Sequence, residues 1–200
     1  IISNASGTPP PVNVTGIAGD TGSGLARVEV GAKSQDEITM SWNTATGTSN
    51  WWWIWNYPGN TQNIYYVKAR GVDNAGNYGE EDTVKIYVDN VGPTCEIVDP
   101  ESNSFVVATY EYYVSGTSTD TDKGTGVVII QANATEPASQ QTPSKALKIG
   151  PTWDSWMWFW NTTGLQGHGV NISCLAQDKA GNWNKTTHTN ITVCTDNYEG

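Results

Sequence analysis

Residues 49–57 read SNWWWIWNY, a run of four tryptophans and an isoleucine in a chain that is otherwise rich in polar residues. Side chains of a β-strand alternate between two faces. A strand here would divide the run into two sets: Trp51, Trp53 and Trp55 on one face, and Trp52 and Ile54 on the other. The fold depends on which of these two faces is covered.

The same pattern recurs 105 positions later in the chain. WWWIWNYPG at 51–59 matches WMWFWNTTG at 156–164 without a gap, and GVDNAGNY at 71–78 matches AQDKAGNW at 176–183. Two copies of one module therefore lie in tandem. The turn-rich DNVGP between them predicts three parts: an N-terminal extension at 1–10, a first domain at 11–91 and a second domain at 92–200.

Short alternating segments separated by Gly, Asn, Asp and Pro fill both copies. The first copy contains VNVTG, LARVEV, EITMSW, WWWIWNY, YYVKARGV and TVKIYVD; the second contains CEIVD, YEYYVSG, GVVIIQA, ALKIG, WMWFWN, VNISCLA and NITVC. About seven strands per copy is the immunoglobulin-like pattern. The sequence therefore predicts an all-β chain of two tandem immunoglobulin-like Greek-key sandwiches.

Two stretches resemble a known family. GDTGSGLARVEV at 19–30 and VKARGVDNAGNYGEEDTVKIYVD at 67–89, the latter echoed by ISCLAQDKAGNWNKTTHTNITVC at 172–194, look like the signatures of prokaryotic extracellular Ig-like repeats. That family occurs in surface-layer proteins, adhesins and filament subunits. The resemblance implies a non-catalytic β-sandwich outside the cell, and it names an architecture more specifically than a task.

The repeat also predicts which side chains face inward. Large indoles kept at alternate positions in both copies are typical of a core, so the phase of Trp51 and its match Trp156 is predicted to be buried. The side chains on the opposite face of these strands are also apolar. We expect a glycan, a neighbouring domain or another chain to cover them. These side chains are the candidate subunit contacts Trp52, Ile54, Met157 and Phe159.

Seven asparagines open an N-x-S/T acceptor tripeptide, and we predict that they carry N-glycans. They are Asn4, Asn13, Asn133, Asn161, Asn171, Asn184 and Asn190. Strand phase places those within predicted strands on the solvent face. For example, inward Val128, Ile130 and Ala132 put Asn133 outward.

The three cysteines are predicted to lie on different faces of their strands. Cys95 and Cys174 share the inward phase of the first and penultimate strands of the second copy, so we predict an inter-sheet disulfide. Cys194 is predicted to face outward near the C-terminus. It would then be either a free thiol or bonded to a cysteine of another chain. No spacing typical of a metal or redox site accompanies them.

No cofactor is required by any motif, but calcium is a candidate ligand. The loop after the second strand and the last hairpin of an immunoglobulin-like domain lie at one end, where hard oxygen ligands would suit Ca²⁺. The aspartates concerned are Asp20 with Asp73 in the first copy, and Asp120 or Asp122 with Asp178 in the second. The alternative is that each aspartate binds its own turn backbone.

Charge and composition exclude several function classes. The formal net charge is −10, so no basic surface favours nucleic acid or anionic membranes. No run of about 18 apolar residues predicts membrane insertion. Two histidines and no catalytic motif argue against an enzyme. The sequons, and a chain that begins at Ile1 without methionine, predict an extracellular or cell-surface protein.

The first copy lacks an early strand. The second copy has PTCEIVD ahead of its YYVSG, whereas the first has only IISNASGTPPP ahead of VNVTG. We therefore expect the extension, with Ile1 and Ile2, to dock as a donor strand on a second copy and build a homopolymeric filament or layer. Two alternatives stay open: a chain cut from a longer surface protein, and an adhesin or carbohydrate-binding module that uses the exposed aromatic faces.

Overall fold

The computed structural model describes residues 10–59, 61–121, 123–136, 139–140 and 143–195. The chain divides into two compact units, with unit 1 at residues 1–90 and unit 2 at residues 91–200. Within the described ranges, no helix has the length and apolar character needed to cross a membrane.

Unit 1 is a sandwich of two antiparallel sheets. Its strands are β1 (Val12–Ile17), β2 (Leu25–Ser34), β3 (Asn43–Thr44), β4 (Thr46–Gly47), β5 (Asn50–Trp55), β6 (Gln62–Asp73) and β7 (Asp82–Asp89). One sheet has the order β1-β5-β4 and the other β3-β2-β6-β7. The tryptophan stretch is thus the central strand of the smaller sheet.

Unit 2 repeats this plan with more strands. They are β8 (Glu96–Asp99), β9 (Phe105–Val107), β10 (Tyr112–Thr117), β11 (Val127–Glu136), β12 (Ser139–Gln140), β13 (Ser144–Lys145), β14 (Leu147–Lys148), β15 (Ser155–Trp160), β16 (Gly169–Asp178) and β17 (Trp183–Cys194). The sheets have the orders β14-β15-β10-β8 and β12-β11-β16-β17-β9, and β13 also pairs with β11. The prediction of an all-β chain of two tandem Ig-like sandwiches is confirmed.

The predicted core phase of the tryptophan strands is also confirmed. Trp51 and Trp55 are 8% and 6% exposed, and Trp53 is half-buried. In β15 the matching indoles are nearly or fully buried, at 0% for Trp156, 7% for Trp158 and 1% for Trp160. Each core therefore combines indoles from one strand with apolar residues of the opposite sheet, such as Val28 and Val67 in unit 1 and Ile130 and Ile172 in unit 2.

One predicted strand is absent. EITMSW at 37–42 is irregular, although its residues alternate, and Ile38 is 95% exposed. Instead β2 continues to Ser34, and the following chain crosses back over it. The Ser41 carbonyl and the Met40 side chain lie where a Cβ on Gly31 would stand, so this crossing depends on glycine.

A β-bulge corrects the predicted phase of Val128. The pairing of β11 with β16 shifts register between Val127 and Ile129, which reverses the faces before the bulge. Val128 is therefore 40% exposed, whereas Val127 packs on the core. Beyond the bulge the prediction is correct, because Ile130 and Ala132 are fully buried.

The repeated D-x-A-G-N motif forms the hairpin turn after β6 and after β16. The Asp73 carboxylate accepts hydrogen bonds from the Asn77 backbone N–H at 2.7 Å and from the Asn77 side-chain amide at 2.8 Å. Asp178 holds Asn182 in the same way, at 2.9 and 2.8 Å. Gly76 and Gly181 have φ of 89° and 93°, which only glycine adopts without strain.

Candidate functional site

In unit 2 the first strand, β8, completes the sandwich. It pairs with the outer edge of β10, and Ile97 lies opposite Gly116. The inward residues Cys95 and Ile97 are 1% and 5% exposed. Cys95 forms the predicted disulfide with Cys174 of the opposite sheet, with a Cα–Cα distance of 6.2 Å.

A tyrosine also ties β10 to β8. The Tyr112 hydroxyl donates to the Asp99 carboxylate at 2.7 Å, and its ring packs edge-on against Trp160. Burial and this hydrogen bond both raise the pKa of Tyr112. The matching residue of unit 1 is Val12, which has no group for such a bond.

In unit 1 the corresponding position is open among the described residues. β1 pairs with β5 along one edge, and no described strand pairs with its other edge. A groove of about 510 Å³ lies along that edge. We call it the unit 1 groove. It is lined by residues 14–19, which include the end of β1, by residues 67–71 of β6, and by Val28, Trp51, Gly79, Glu80, Asp82 and Val84.

Residues around the unit 1 groove are less buried than their counterparts in unit 2. Val14 is half-buried, whereas Val114 is fully buried. The same difference separates Ala69 from Cys174 and Gly71 from Ala176. The groove wall also includes Val84, which is 55% exposed. One side of the unit 1 core is therefore partly exposed, at the position where the first strand covers the core of unit 2.

Two small residues give the groove its shape. A Cβ on Gly16 would collide with the Trp51 ring, as one on Gly116 would with Trp156, so the indole lies directly against the strand. Ala69 stands where unit 2 has Cys174. Because alanine fills less space than a disulfide, a strand in this groove needs a larger inward side chain than cysteine.

The proposed donor residues Ile1 and Ile2 lie outside the described residues, as do Asn4 and Asp122. The described chain begins at Pro10, and Pro11 directly precedes β1. Proline fixes φ near −65° and favours an extended connector. Pro10 and Pro11 therefore give an extended entry into β1.

The second apolar phase of the tryptophan strands lies on the outer face of each smaller sheet. Trp52 is 44% exposed, Ile54 is 38% exposed and Phe159 is 41% exposed, whereas Met157 is half-buried. Trp52 lies between Thr15 of β1 and Thr46 of β4. The structure thus places these candidate contact residues on open faces, and their partner stays a prediction.

Five of the predicted glycosylation sites are exposed in the described chain. They are Asn13, Asn161, Asn171, Asn184 and Asn190. Asn190 donates its amide nitrogen, the atom that a glycan would modify, to Asn103 at 3.1 Å. Asn133 is half-buried. Accessibility therefore favours Asn13, Asn161, Asn171 and Asn184, and glycosylation of all seven sequons stays a prediction.

The calcium candidates come together at one end of each sandwich. Asp20 and Asp73 line one cavity of about 170 Å³, and carboxylate oxygens of Asp120 and Asp178 lie within 4.8 Å of each other. All four already accept hydrogen bonds from turn donors; Asp20, for example, accepts from the backbone N–H of Gly24 at 2.6 Å. Hydrogen bonds from Asn77 lower the pKa of Asp73.

The hydrogen bonds account for these aspartates as turn-forming residues. Calcium binding therefore stays a prediction. A rise in unfolding temperature on adding Ca²⁺, reversed by a chelator, would support it.

Cys194 lies at the end of β17, opposite Val107, and is outside the disulfide. It is half-buried, which is less exposed than an outward phase predicts. The reason is β9, which pairs in parallel with the end of β17 and which the sequence did not predict. A bond from Cys194 to another chain stays a prediction.

Comparison with known proteins shows likeness in fold alone. No family model and no curated protein matches the chain. Fibronectin(III)-like modules of Clostridium thermocellum CbhA match at 18% identity and a TM-score of 0.40, over 100% of this chain and 91% of theirs. A 1.5-MDa bacterial ice-binding adhesin matches at 19% identity and a TM-score of 0.49, over 92% of this chain and 58% of its own.

An engineered protein matches over 54% of this chain and 21% of its own, at 15% identity and a TM-score of 0.38. The chain thus spans about one fifth of that protein and under two thirds of the adhesin. Because all three TM-scores lie below 0.5, the architecture is assigned from the strand pairing above.

Proposed function

We propose that the chain is a non-catalytic, N-glycosylated structural subunit of an extracellular filament or surface layer. The observation that carries the proposal is the unit 1 groove, because within the described residues it is an open sheet edge above an incompletely covered core. Such an edge is completed by a strand from another chain in strand-addition complexes. The disulfide and the sequons favour an oxidising compartment outside the cytosol.

The occupant of the groove is the N-terminal segment of a second copy. Its sequence IISNAS supplies isoleucines large enough for the space beside Ala69, and the prolines at 9–11 separate it from β1 of its own unit. A contact from the N-terminus of one copy to unit 1 of the next is heterologous and does not close on itself. Repetition therefore gives an open fibre.

Electron microscopy of the purified chain tests assembly. We expect fibres from the intact chain and none after deletion of residues 1–10. A Val84→Lys variant adds a charge to the exposed groove wall, and it should also lose fibres. The matched control is Val98→Lys, since Val98 is equally exposed at 56% but lies on the outer face of β8. Fibres from the deletion variant would refute donor-strand assembly.

A binding module is the second candidate, favoured by the exposed indole of Trp52. An aromatic side chain on an open sheet face is a common platform for sugars, because the ring packs against apolar C–H groups. A glycan array or cell-wall pull-down separates the two functions. Retention that is lost in Trp52→Ala, with no fibres from the intact chain, would favour an adhesin or carbohydrate-binding module.

A further inference from the structure

The outer face of the β1-β5-β4 sheet places a sequon beside the exposed apolar pair. Asn13 is the cross-strand partner of Ile54, and Thr15 is the partner of Trp52. Directly opposite side chains have Cβ atoms about 5 Å apart, and diagonal ones about 7–8 Å apart. Asn13 therefore lies next to Ile54 and one diagonal step from Trp52.

Unit 2 shows how the same position is used without a sequon. VNVTG of β1 matches YYVSG of β10, so Tyr113 occupies the place of Asn13. Tyr113 is the cross-strand partner of Phe159, and their rings meet edge to face with centroids 4.8 Å apart. Tyr113 thus packs against one side of Phe159, which stays 41% exposed.

The side chain of Asn13 is itself available for modification. Asn13 is exposed, and among the described residues its amide makes no hydrogen bond. This differs from Asn190, whose amide nitrogen is held by Asn103. A group attached at the Asn13 nitrogen leaves the sheet beside two apolar side chains that are 38% and 44% exposed.

We propose that an N-glycan on Asn13 packs over Ile54 and Trp52 on the outer face of the β1-β5-β4 sheet, from the position at which Tyr113 contacts Phe159 in unit 2. This inference rests on the proposed N-glycosylation. The glycan would thus be a structural part of the sheet face, and its first sugar would place its C–H face on the indole.

Attachment follows the chemistry of N-linked transfer. A bond forms between the Asn13 Nδ2 atom and the anomeric carbon of a sugar that a lipid phosphate carries. The bond from that carbon to the phosphate oxygen breaks, the amide loses one proton, and the lipid phosphate leaves. The chain itself supplies the acceptor only.

Peptide mass mapping combined with hydroxyl-radical footprinting tests this inference on the full chain isolated from its native host. The mapping shows whether the Asn13 peptide carries sugar, and the footprint measures oxidation of Trp52. Asn13→Gln should raise Trp52 oxidation about twofold or more, because the indole loses its cover. Asn184→Gln is the matched control, since it removes another exposed sequon, and should leave Trp52 unchanged.

A third variant, Asn13→Tyr, supplies the residue that unit 2 uses and should return Trp52 oxidation toward the glycosylated level. An unmodified Asn13 peptide would overturn both glycosylation at this site and the inference. A modified peptide with equal Trp52 oxidation in native and Asn13→Gln chains would leave glycosylation standing and overturn the packing.

Discussion

At the scale of single residues, Arg70 organises the outer face of the larger sheet of unit 1. Its guanidinium lies between two rings, 4.1 Å from the Trp42 centroid and 4.2 Å from that of Tyr78. It also donates twice to Glu29, at 3.0 and 2.8 Å, while Arg27 donates to the other carboxylate oxygen. A planar cation is needed to stack and to form paired hydrogen bonds together.

Arg70→Lys should therefore destabilise unit 1 by about 1 kcal/mol, although the charge is kept. Arg27→Lys is the matched control, because Arg27 bonds the same carboxylate but is more exposed, at 42% against 22% of the side chain. We expect a loss of about half that size for the control. Chemical denaturation measures both, and equal losses would show that stacking contributes nothing.

The same cluster predicts a pH dependence. Hydrogen bonds from Arg27, then those from Arg70, hold the pKa of Glu29 below its ordinary value, against the opposing effect of desolvation. Because the folded pKa is lowered, this contribution to stability is present above the ordinary value of about 4.3. It is lost as pH falls through the folded pKa.

The free energy of unfolding, measured from pH 7 to pH 3, should therefore fall less steeply below pH 5 in Glu29→Gln than in the native chain. A slope that is the same in both would contradict the assignment. The comparison isolates Glu29, since the other carboxylates are present in both chains.

Among the structural elements, the D-x-A-G-N turn is predicted to stabilise the fold. Asp178→Ala leaves the Asn182 donors without their carboxylate and should cost about 1–3 kcal/mol. Asp178→Asn keeps one acceptor oxygen and should cost less. Glu101→Ala, an exposed loop substitution, is the control for a loss of charge. Thermal unfolding with no difference between Asp178→Ala and the control would refute the role.

Strand phase could be predicted from the sequence wherever both copies repeat the same alternation. The buried indoles and the Cys95–Cys174 bond follow from that rule. The rule failed at Val128, because a β-bulge inserts an extra residue and reverses which side chains face the core. It also failed at 37–42, where the residues alternate but the segment pairs with no strand in the described chain. The strand β9 was missed because three residues carry too little pattern, and its partner β17 is distant in sequence.

The sequence predicted some features of the candidate sites but not their packing. Comparing the two copies predicted that unit 1 lacks an early strand, but the groove itself depends on how Trp51, Gly16 and Ala69 pack. Sequons are readable from sequence, yet the register that sets Asn13 beside Ile54 requires the strand pairing. The hydrogen bond that occupies the Asn190 amide nitrogen is invisible to sequence, because Asn103 is 87 residues away.

For the chain as a whole, unit 2 holds its first strand with a disulfide, whereas the described residues of unit 1 include no strand at that position. The disulfide of unit 2 closes a loop with a sequence separation of 79 residues, which the chain-entropy model values at about 4.5 kcal/mol. In Cys95→Ala/Cys174→Ala, we expect faster hydrogen exchange in β8 and β16. β2 and β6 of unit 1 are the internal control and should not change. Uniform acceleration in both units would contradict a local role.

Donor-strand assembly requires that the N-terminal segment of one copy fills the unit 1 groove of the next. Ala69→Cys places a thiol where unit 2 has Cys174, and Ile1→Cys and Ile2→Cys each place one on the donor. Cys194→Ser removes the remaining free thiol. Because adjacent strand residues face opposite sides, one of the two donor positions should bond to Ala69→Cys and the other should not.

Non-reducing electrophoresis of these chains, after mild oxidation of the assembled protein, is the most direct test. We expect a ladder of covalent oligomers for one donor position only. The ladder should collapse to monomer on reduction and should be absent with Ala69→Cys alone. Monomer at both positions, whether unlinked or linked within one molecule, would contradict donor-strand assembly.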